Sequence, residues 1–570
     1  MGDLRKCADR CDQASRGGVT RRQLLRGTAW GALGAAAMGF AGCVVPATEE
    51  AVAKTRGGNP TCPPHVDVVP PDSPWAMPAW VDEPDEALDY DLVCIGSGMG
   101  GYSAALTALQ EGVGRVLIIE RADKTGGGTA MAEGLTAIDT PWMKEKGFAH
   151  VDPDTIIQKE FDWHHYICDA TLWSTVLRNN PADFNWLLDQ GVEIVACVAT
   201  GGAEYPTHHV YEGHRGVSAI AALHKKFEEA GGELMCRTRA THMIMDEDAV
   251  AGVQCITEDG RCLNIAARAV VLATGGIGGN KDIVEYWTER NSDNQVWLGC
   301  PTATGDGVML AVEAGMGKPY HLGGPGLGAD VPPLDLASHF NCAAALESCN
   351  LWLNQDGHRF FNEGVTLNFY APVNAIESQC KTFAVFDSEI MRHYTDDGAD
   401  VGWAQYVPKK TKMVNAPAEC DREIAEGNPF VFKTDTLEEM AEQMGIPVST
   451  FMETVEEYNS FCRDGKDTKF FKDPDYLREI KTPPFYGARL KAGVVSQKGG
   501  VHCNSKGEVI KMSGQRIPGL YVAGLDCGGF QSQTTGITIP GSVQGYALGM
   551  GRLCGANGAA YVLGTEVLPA

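Results

Sequence analysis

Residues 90–101 read YDLVCIGSGMGG, and this pattern is the strongest indication of the fold in the sequence. An apolar run over residues 90–95 has the length and composition of a buried strand. The pattern G-x-G-x-x-G follows it directly. Gly96 permits a tight turn, Gly98 lets the backbone approach a pyrophosphate, and Gly101 lets the next helix pack closely on the strand. The stretch therefore predicts a strand, a turn and a helix that bind a dinucleotide.

The residues after this turn complete the same unit. Residues 102–111 are predicted to form the helix, whose N-terminus would face the phosphates. Residues 115–119, RVLII, read as a second strand, and Glu120 follows it, 19 residues after Gly101. A carboxylate at that place can accept hydrogen bonds from a ribose. A turn that is merely rich in glycine would not account for Glu120.

The composition is that of a soluble globular protein. The chain has 570 residues, of which 44% are hydrophobic and 21% charged, and this excludes a disordered chain. Its length predicts about three or four domain-sized units. The net charge of −26 would repel phosphate backbones, so we expect no nucleic-acid partner.

The first 47 residues are predicted to be a twin-arginine signal peptide. A basic region containing Arg21 and Arg22 precedes an apolar run over residues 27–41. That run is shorter than the ~20 residues that span a bilayer. Cleavage after Ala47 is one outcome, and lipidation of Cys43 within the sequence FAGC is the alternative. The protein is accordingly expected to be exported and extracytoplasmic.

The 19 cysteines are scattered and form no dense disulfide framework. Several lie inside apolar segments, as Cys94 and Cys197 do. The sequence has no C-x-x-C motif, and therefore no C-x-x-C-H site for a c-type haem and no ordinary zinc spacing.

Four further segments resemble one flavoprotein family. They are KTGGGT at 124–129, AARAVVLATGGIGG at 266–279, TGDG at 304–307 and PGLYVAGLD at 518–526. Together with the first motif they resemble the fumarate reductases, the succinate dehydrogenase flavoprotein subunits and the ketosteroid dehydrogenases, over about residues 88–565. The resemblance implies FAD as the cofactor. Residues 124–134 contain no histidine for covalent attachment, so the FAD should be non-covalent.

The resemblance also implies which residues bind FAD. The segment at 274–276 would line the adenosine side, and Asp526 would touch the ribityl chain. The full set of expected cofactor residues is Gly96, Gly98, Gly101, Glu120, Gly127, Gly128, Thr129, Thr274, Gly275, Gly276, Asp306, Gly524, Asp526, Thr538 and Ile539.

The family architecture implies an α/β fold: a Rossmann-like FAD-binding domain in two segments with an inserted α+β capping domain. The segments would be a linker at 48–87, the first FAD-binding segment at 88–318, the cap at 319–480 with a helical stretch at 436–461, and the second FAD-binding segment at 481–570. No second dinucleotide motif in strand–helix context and no haem motif is present in the sequence. Electrons are therefore expected from a separate partner, a membrane-anchored cytochrome c.

The substrate residues of the fumarate reductases are replaced in this chain. Leu367 stands where the family's catalytic arginine is expected, and Ala344 and Glu347 stand at two positions of its proton relay. Val495 and Ser496 fall in the histidine motif, and Ser532 falls near the arginine that clamps a carboxylate. A dicarboxylate needs bidentate arginine contacts. These changes argue against fumarate, succinate and urocanate as substrates.

The tail from Gly536 to Gly541 is closer to that of the ketosteroid dehydrogenases, although the catalytic tyrosine before the final glycines is missing. The chain also resembles the exported flavin reductases of gut actinobacteria, which include cardiac glycoside reductases. The resemblance implies a reductase of an activated C=C bond in a neutral or weakly polar enone, unsaturated lactone or aromatic acrylate. A ketosteroid-type dehydrogenase running the reverse reaction and a flavoprotein electron-transfer subunit remain as alternatives.

Lys498 and Glu347 are the candidate proton donors, because both fall in segments that contact substrate or relay protons in the relatives. Either one can instead be a solvated charge, and a tyrosine or a water molecule remains open as the proton donor. Cys342 and Cys349 are candidate iron–sulfur ligands, together with Cys168 and Cys197. Buried reduced cysteines are the alternative for these four.

Overall fold

Two six-stranded sheets organise the protein in a computed structural model. The structure describes residues 68–70, 72–199, 203–288, 290–323, 326–368, 370–403, 406–531 and 539–565. The predicted signal peptide, with Cys43, lies outside these described residues. Within them, no helix combines the length and the apolarity needed to cross a membrane.

The structure describes strands of three to ten residues. In chain order they are β1 (Glu86–Asp89), β2 (Leu92–Ile95), β3 (Val116–Ile119), β4 (Gly134–Thr136), β5 (Ile194–Val198), β6 (His208–Tyr211), β7 (Glu233–Met235), β8 (Thr238–Asp246), β9 (Ala249–Thr257), β10 (Cys262–Ala266), β11 (Ala269–Leu272), β12 (Gln295–Trp297), β13 (Gly326–Asp330), β14 (Leu351–Asn354), β15 (Thr382–Asp387), β16 (Val431–Thr434), β17 (Phe485–Val494), β18 (Glu508–Ile510) and β19 (Arg516–Val522).

The helices range from one turn to six turns. In chain order they are α1 (Met99–Gln110), α2 (Gly127–Met131), α3 (Pro141–Glu145), α4 (Pro153–His164), α5 (Ala170–Asp189), α6 (Val217–Glu229), α7 (Lys281–Thr288), α8 (Asp306–Glu313), α9 (His339–Ala345), α10 (Tyr370–Glu377), α11 (Ser388–Asp396), α12 (Ala416–Ala425), α13 (Leu437–Met444), α14 (Val448–Asp464) and α15 (Ser542–Leu563). Short 3-10 turns cover Glu212–His214, Ser292–Asn294, Glu363–Leu367, Pro474–Tyr476 and Gly524–Asp526.

The first six-stranded sheet has the order β18-β19-β11-β2-β3-β7. Its strands from β19 to β7 are parallel, and β18 pairs antiparallel at one edge. Strand β2 lies between β11 and β3, so the strand order reverses there. Open parallel sheets bind ligands outside the carboxyl ends of their strands at such a point. The predicted α/β fold with a Rossmann-like parallel sheet is confirmed.

The second six-stranded sheet is centred on β17. Strands β15 and β16 flank its first half, and β12 and β13 flank its second half. The hydrophobic core around this sheet extends from Ala329 to Val494. The core around the first sheet draws on residues 68–316 and 501–562. The second core therefore passes the boundary expected at 480, because β17 is its central strand.

Two other expectations differ from the structure. The linker predicted at 48–87 is packed where the structure describes it: Val68 and Val69 are buried in the first core, and β1 pairs with β10 in a four-stranded sheet. The helical stretch predicted at 436–461 is split into α13 and α14. Gly445 ends α13 in the left-handed conformation, and Pro447 starts the next helix.

Four buried charged side chains form a cluster in the second core, and two of them belong to the sequence GHRFFNEG at 357–364. The Arg359 guanidinium donates to both carboxylate oxygens of Glu363, at 2.8 and 2.6 Å, and to Asp467 at 2.8 Å. The Lys472 amine lies 3.7 Å from Glu363. All four side chains are at most 1% exposed. Paired charges of this kind tolerate burial, whereas a single one does not.

Candidate functional site

A cleft lies at the carboxyl ends of β2 and β11, where the strand order reverses. Its walls come from the glycine turn after β2, the end of β3, α2, the turn after β11, the start of α8 and the end of β19. The predicted cofactor residues that line it are Gly96, Gly98, Glu120, Gly127, Gly128, Thr129, Thr274, Gly275, Asp306 and Gly524. The structure thus brings ten of them to one site.

The glycines of the two glycine-rich segments fall into two groups: those that the protein's own packing requires and those that leave space open. A Cβ on Gly101 would lie 1.9 Å from the carbonyl oxygen of Gly96, so close packing inside the protein requires glycine there. A Cβ on Gly98 would have its nearest neighbour at 3.6 Å, and one on Gly128 would meet nothing within 4 Å. The protein alone does not require glycine at these two positions. Both open onto the cleft, so they leave room for a ligand to approach the backbone.

Two helix N-termini meet the cleft. Helix α1 begins after Gly98 without a side-chain cap, although the Met99 amide donates to the Thr129 hydroxyl at 3.0 Å. Helix α15 places Val543 and Gln544 on the cleft wall, and the buried Gln544 Oε1 accepts no hydrogen bond from any described residue. The N–H groups at a helix N-terminus suit an anionic group, and the unpartnered Gln544 oxygen suits a hydrogen-bond donor of a polar ligand. The site therefore fits the pyrophosphate and polar groups of FAD.

Glu120 ends β3 and is 5% exposed. Its carboxylate accepts from the Ser97 hydroxyl at 2.6 Å and from the Ala122 amide at 2.8 Å. These bonds fix the carboxylate at the cleft beside the glycine turn. Its predicted contact with a ribose stays a prediction.

Asp306 carries two arginine partners. Arg239, on β8, approaches its carboxylate at 2.8 and 3.2 Å, and Arg121 approaches at 3.0 Å. Arg121 also lines the cleft. Sequence reasoning missed both arginines. The position of Arg121 directly after Glu120 was an available signal, whereas nothing local to Arg239 marks it.

The structure does not place the Asp526 carboxylate among the residues lining the cleft. It accepts hydrogen bonds from the Thr274 amide, from the Thr274 hydroxyl at 2.9 Å and from the Gly276 amide at 2.8 Å. Burial raises the pKa of Asp526 to about 6, although these donors favour the carboxylate. Asp526 therefore ties the turn after β11 to the end of β19. Its implied contact with the ribityl chain stays a prediction.

Two other predicted cofactor residues also fall away from the cleft wall. Gly276 packs against the backbone of Gln497, where a Cβ would lie 2.0 Å from the carbonyl oxygen. Ile539 is 1% exposed and belongs to the first core. Thr538 lies outside the described residues, as does Ser532.

Lys498 lies on the segment that follows β17, between the cleft residue Val495 and Gly499, and it is not itself one of the residues that line the cleft. Val495 lines the cleft, and the Gly499 amide donates at 2.6 Å to the carbonyl of Leu525, another lining residue. Lys498 is 1% exposed, and its amine donates to no described residue. Burial, with a smaller contribution from the charge of Arg290, lowers the pKa of Lys498 to about 7. An amine with this pKa can give and take a proton near neutral pH.

Glu347 has a structural role in the second core. Its carboxylate is fully buried and accepts from the amides of Asp400, Val401 and Gly402 at 2.8, 3.2 and 2.9 Å. Burial raises the pKa of Glu347 to about 7 against the effect of these three donors. Because both oxygens are held by the loop at 400–402, Glu347 is not positioned as the proton donor considered above.

The four candidate iron–sulfur cysteines are not brought together. Cys168 and Cys197 pack in the first core, and Cys342 and Cys349 pack in the second. Burial raises the pKa of Cys168 to about 11, and of Cys197 and Cys349 to about 12. The structure thus separates the four candidates into two pairs that lie in different cores.

Comparison with known proteins agrees with this site. Residues 91–536 match the FAD binding domain family. The chain belongs to this FAD-binding family. A vinyl phenol reductase of Lactiplantibacillus plantarum is 34% identical over 83% of this chain and 97% of its own length. An NADH:fumarate oxidoreductase of Klebsiella pneumoniae is 27% identical over 82% of this chain, which spans 48% of that longer protein.

Among solved structures, the open conformation of a flavocytochrome c3 fumarate reductase shares the fold, with a TM-score of 0.62 and 23% identity over 84% of this chain and 79% of that one. Membership of the FAD-binding family makes FAD the cofactor of this cleft. The protein is an FAD-dependent oxidoreductase of the class that acts on CH–CH bonds.

Proposed function

We propose that this FAD-binding protein reduces an activated C=C bond in a neutral or weakly polar enone, unsaturated lactone or aromatic acrylate. The observation that carries the proposal is the buried Lys498 amine, unpartnered among the described residues, on the segment that runs on from the cleft residue Val495. Burying an amine without a hydrogen-bond partner lowers the stability of the folded protein. An amine buried in this way near a cofactor site therefore favours a chemical role.

FAD held in this cleft would supply, when reduced, a hydride for the β-carbon of the substrate. Lys498, protonated, would donate a proton to the α-carbon and become the neutral amine, so that one hydride and one proton saturate the bond. Solvent then returns the proton to Lys498. The lowered pKa suits this cycle, because the ammonium is acidic enough to donate near neutral pH and is readily reprotonated.

The substrate class rests on the residues that replace the carboxylate-binding set. Ser496, in the former histidine motif, is a small buried hydroxyl side chain, and Val495 gives the cleft an apolar wall. Neither of them can neutralise a carboxylate. The relative named vinyl phenol reductase supports an aromatic alkene over a dicarboxylate.

The electrons would come from a separate redox protein, for which we propose a membrane-anchored cytochrome c outside the cytoplasm. The sequence has neither a haem motif nor a second dinucleotide motif, so this chain would need a donor other than itself. Export by the twin-arginine route, with cleavage or lipidation at Cys43, would bring it to such a donor. Substitution of Arg21 and Arg22 by lysine should retain the protein in the cytoplasm, as followed by cell fractionation.

The test of the function is anaerobic reoxidation. The FAD-loaded protein is reduced with dithionite or a viologen and mixed with cinnamates, vinyl phenols, steroid enones, unsaturated lactones, fumarate and urocanate. We expect reoxidation of the flavin by one of the neutral or aromatic alkenes and formation of its saturated product. Reoxidation by fumarate or urocanate alone would overturn the substrate class. Reduction of an artificial acceptor by a saturated steroid would favour the dehydrogenase, and no turnover at all would favour an electron-transfer subunit.

A further inference from the structure

Three potential metal ligands meet in the second core, away from the FAD cleft. The Cys349 Sγ lies 3.4 Å from Oδ2 of Asp400, and His393 Nε2 lies 2.8 Å from the same oxygen. All three ligating atoms lie within 4.8 Å of one another, and among the described residues no other set of three or more His, Cys, Asp or Glu side chains does so. They come from separate segments: the loop before β14, helix α11 and the loop that follows α11.

The donor set is the one that zinc prefers. A thiolate, an imidazole nitrogen and a carboxylate oxygen are its usual ligands in proteins, with water in an open fourth position. Around a tetrahedral zinc ion such ligand atoms stand about 3.4–3.6 Å apart. The observed sulfur–oxygen distance already matches this spacing, and the nitrogen–oxygen distance must open by about 0.6 Å on that geometry.

Neighbouring groups hold two of the ligands in place. His393 Nδ1 lies 2.9 Å from the Asp397 carboxylate, which leaves Nε2 directed at the cluster. A carboxylate behind a ligating histidine is the usual support of a metal site. The Asp400 amide donates to Glu347 at 2.8 Å, so the buried Glu347 fixes the loop that carries the third ligand.

The cluster is accessible from solvent on one side. His393, Asp397 and Arg478 line a polar surface cleft that provides a path for an ion. Two cations lie beside the cluster. Arg478 lies 3.4 Å from His393 Nε2, and Lys410 lies 3.6 Å from Asp400 with 63% of its side chain exposed. A divalent ion would compete with these two cationic side chains for the negative charge of the Asp400 carboxylate.

We propose that Cys349, His393 and Asp400 bind a zinc ion, with water as the fourth ligand. On binding, the thiol proton of Cys349 and any proton on His393 Nε2 leave to solvent, and no electron is transferred. The ion joins the loop before β14 to α11 and to the loop that follows it. The site therefore stabilises the second core, independently of the reaction in the FAD cleft.

The test measures zinc directly in the purified, FAD-loaded protein without an affinity tag. The protein is equilibrated with micromolar zinc, passed through a desalting column and analysed for metal by mass spectrometry. We expect one zinc ion per chain, and a loss of at least about tenfold in affinity for Cys349→Ser and for Asp400→Asn, as for removal of a zinc ligand or its support. His358→Ala and Cys380→Ser, at exposed positions, should bind zinc as the parent does.

One variant separates the proposal from simple misfolding. Arg478→Gln removes the competing cation and leaves all three ligands, so its zinc affinity should rise several-fold. An ion-pair network without a metal function predicts no gain from Arg478→Gln. That result, or zinc binding that is lost in Cys380→Ser and kept in Cys349→Ser, would overturn the proposal.

Discussion

The Thr274 hydroxyl donates to the Asp526 carboxylate at 2.9 Å, across 252 residues of sequence. This bond joins the turn after β11, which forms one wall of the FAD cleft, to the 3-10 turn Gly524–Asp526, which forms another. The cleft is therefore assembled from two distant segments, and the carboxylate that joins them is fully buried.

Asp526→Asn should loosen this junction. An asparagine keeps one acceptor oxygen but turns an amide donor toward backbone N–H groups, which leaves buried donors unpaired. We expect the free energy of unfolding to fall by about 1–3 kcal/mol. The purified variant should also retain less FAD, as measured by the ratio of flavin to protein absorbance.

The exposed Asp356→Asn is the matched control and should change neither quantity. The pKa of Asp526 is raised from 3.8 to about 6, so its protonation contributes stability that is complete below about pH 4 and is lost as the pH rises through about 6. Asp526→Asn should abolish that part of the pH dependence. An unchanged melting curve at all pH values would contradict the role given to this residue.

Gly98→Ala should weaken FAD binding, whereas Gly101→Ala should destabilise the fold. The added Cβ at Gly98 has ordinary contacts and projects where a ligand would approach the backbone. We expect an apoprotein of parental stability whose FAD affinity is about 10–100-fold lower, the equivalent of 1–3 kcal/mol of lost contacts. The Cβ at Gly101 would clash with the Gly96 carbonyl, so this variant should be destabilised even without FAD. Thermal melting and flavin titration of both apoproteins distinguish the two cases.

Lys498→Met tests the proposed proton donor. We expect turnover with a neutral alkene to fall by about 10²–10⁴-fold, while FAD binding is kept. In the parent, kcat/KM should fall as the pH rises through about 7, because the ammonium is the active form. That titration should be absent from the variant.

The same substitution has a stability signature. The pKa of Lys498 is lowered from 10.5 to about 7 in the folded protein. The free energy of unfolding should therefore decrease as the pH falls from about 10 to about 7, because the unfolded chain takes up this proton first. Lys498→Met should therefore be more stable than the parent at neutral pH. The exposed Lys318→Met is the control and should leave rate and stability unchanged. Full turnover by Lys498→Met would remove this residue from the mechanism.

Arg359→Met should destabilise the second core. It leaves the buried carboxylates of Glu363 and Asp467 without their main partner, and we expect a loss of about 3–5 kcal/mol in the free energy of unfolding. Arg359→Lys should restore only part of this loss, because one ammonium cannot make the same pair of bonds to Glu363. Denaturant unfolding followed by fluorescence measures both. The exposed Arg392→Met is the control.

Local patterns predicted the part of the site that local geometry controls. The strand, the turn and the helix at 90–110 and the position of Glu120 follow from glycine conformation and apolar spacing, and the structure has them within a few residues. The pairing of Asp306 with Arg239 has no such signal, because residues 67 apart meet only through the packing of β8 against α8. Asp526 shows the same limit: a family motif indicated its importance, and only the packed structure shows that it bonds to the turn after β11.

Burial was the property of Lys498 that the sequence did not reveal. A lysine in a glycine-rich segment reads as a solvated charge, whereas the lowered pKa of Lys498 comes from burial and, to a smaller extent, from the charge of Arg290. Glu347 lay in an equally suggestive motif, yet the loop at 400–402 surrounds its carboxylate.

Strand β17 runs from the middle of the second sheet into the segment that carries Lys498. It has hydrogen-bonded neighbours on both sides along its length and then continues directly to Val495 at the cleft. The backbone that carries Lys498 therefore continues from a strand that is held on both sides, and at Lys498 it is bridged to Gly323. A substitution that shifts β17 within the second sheet should consequently displace the Lys498 backbone from a distance.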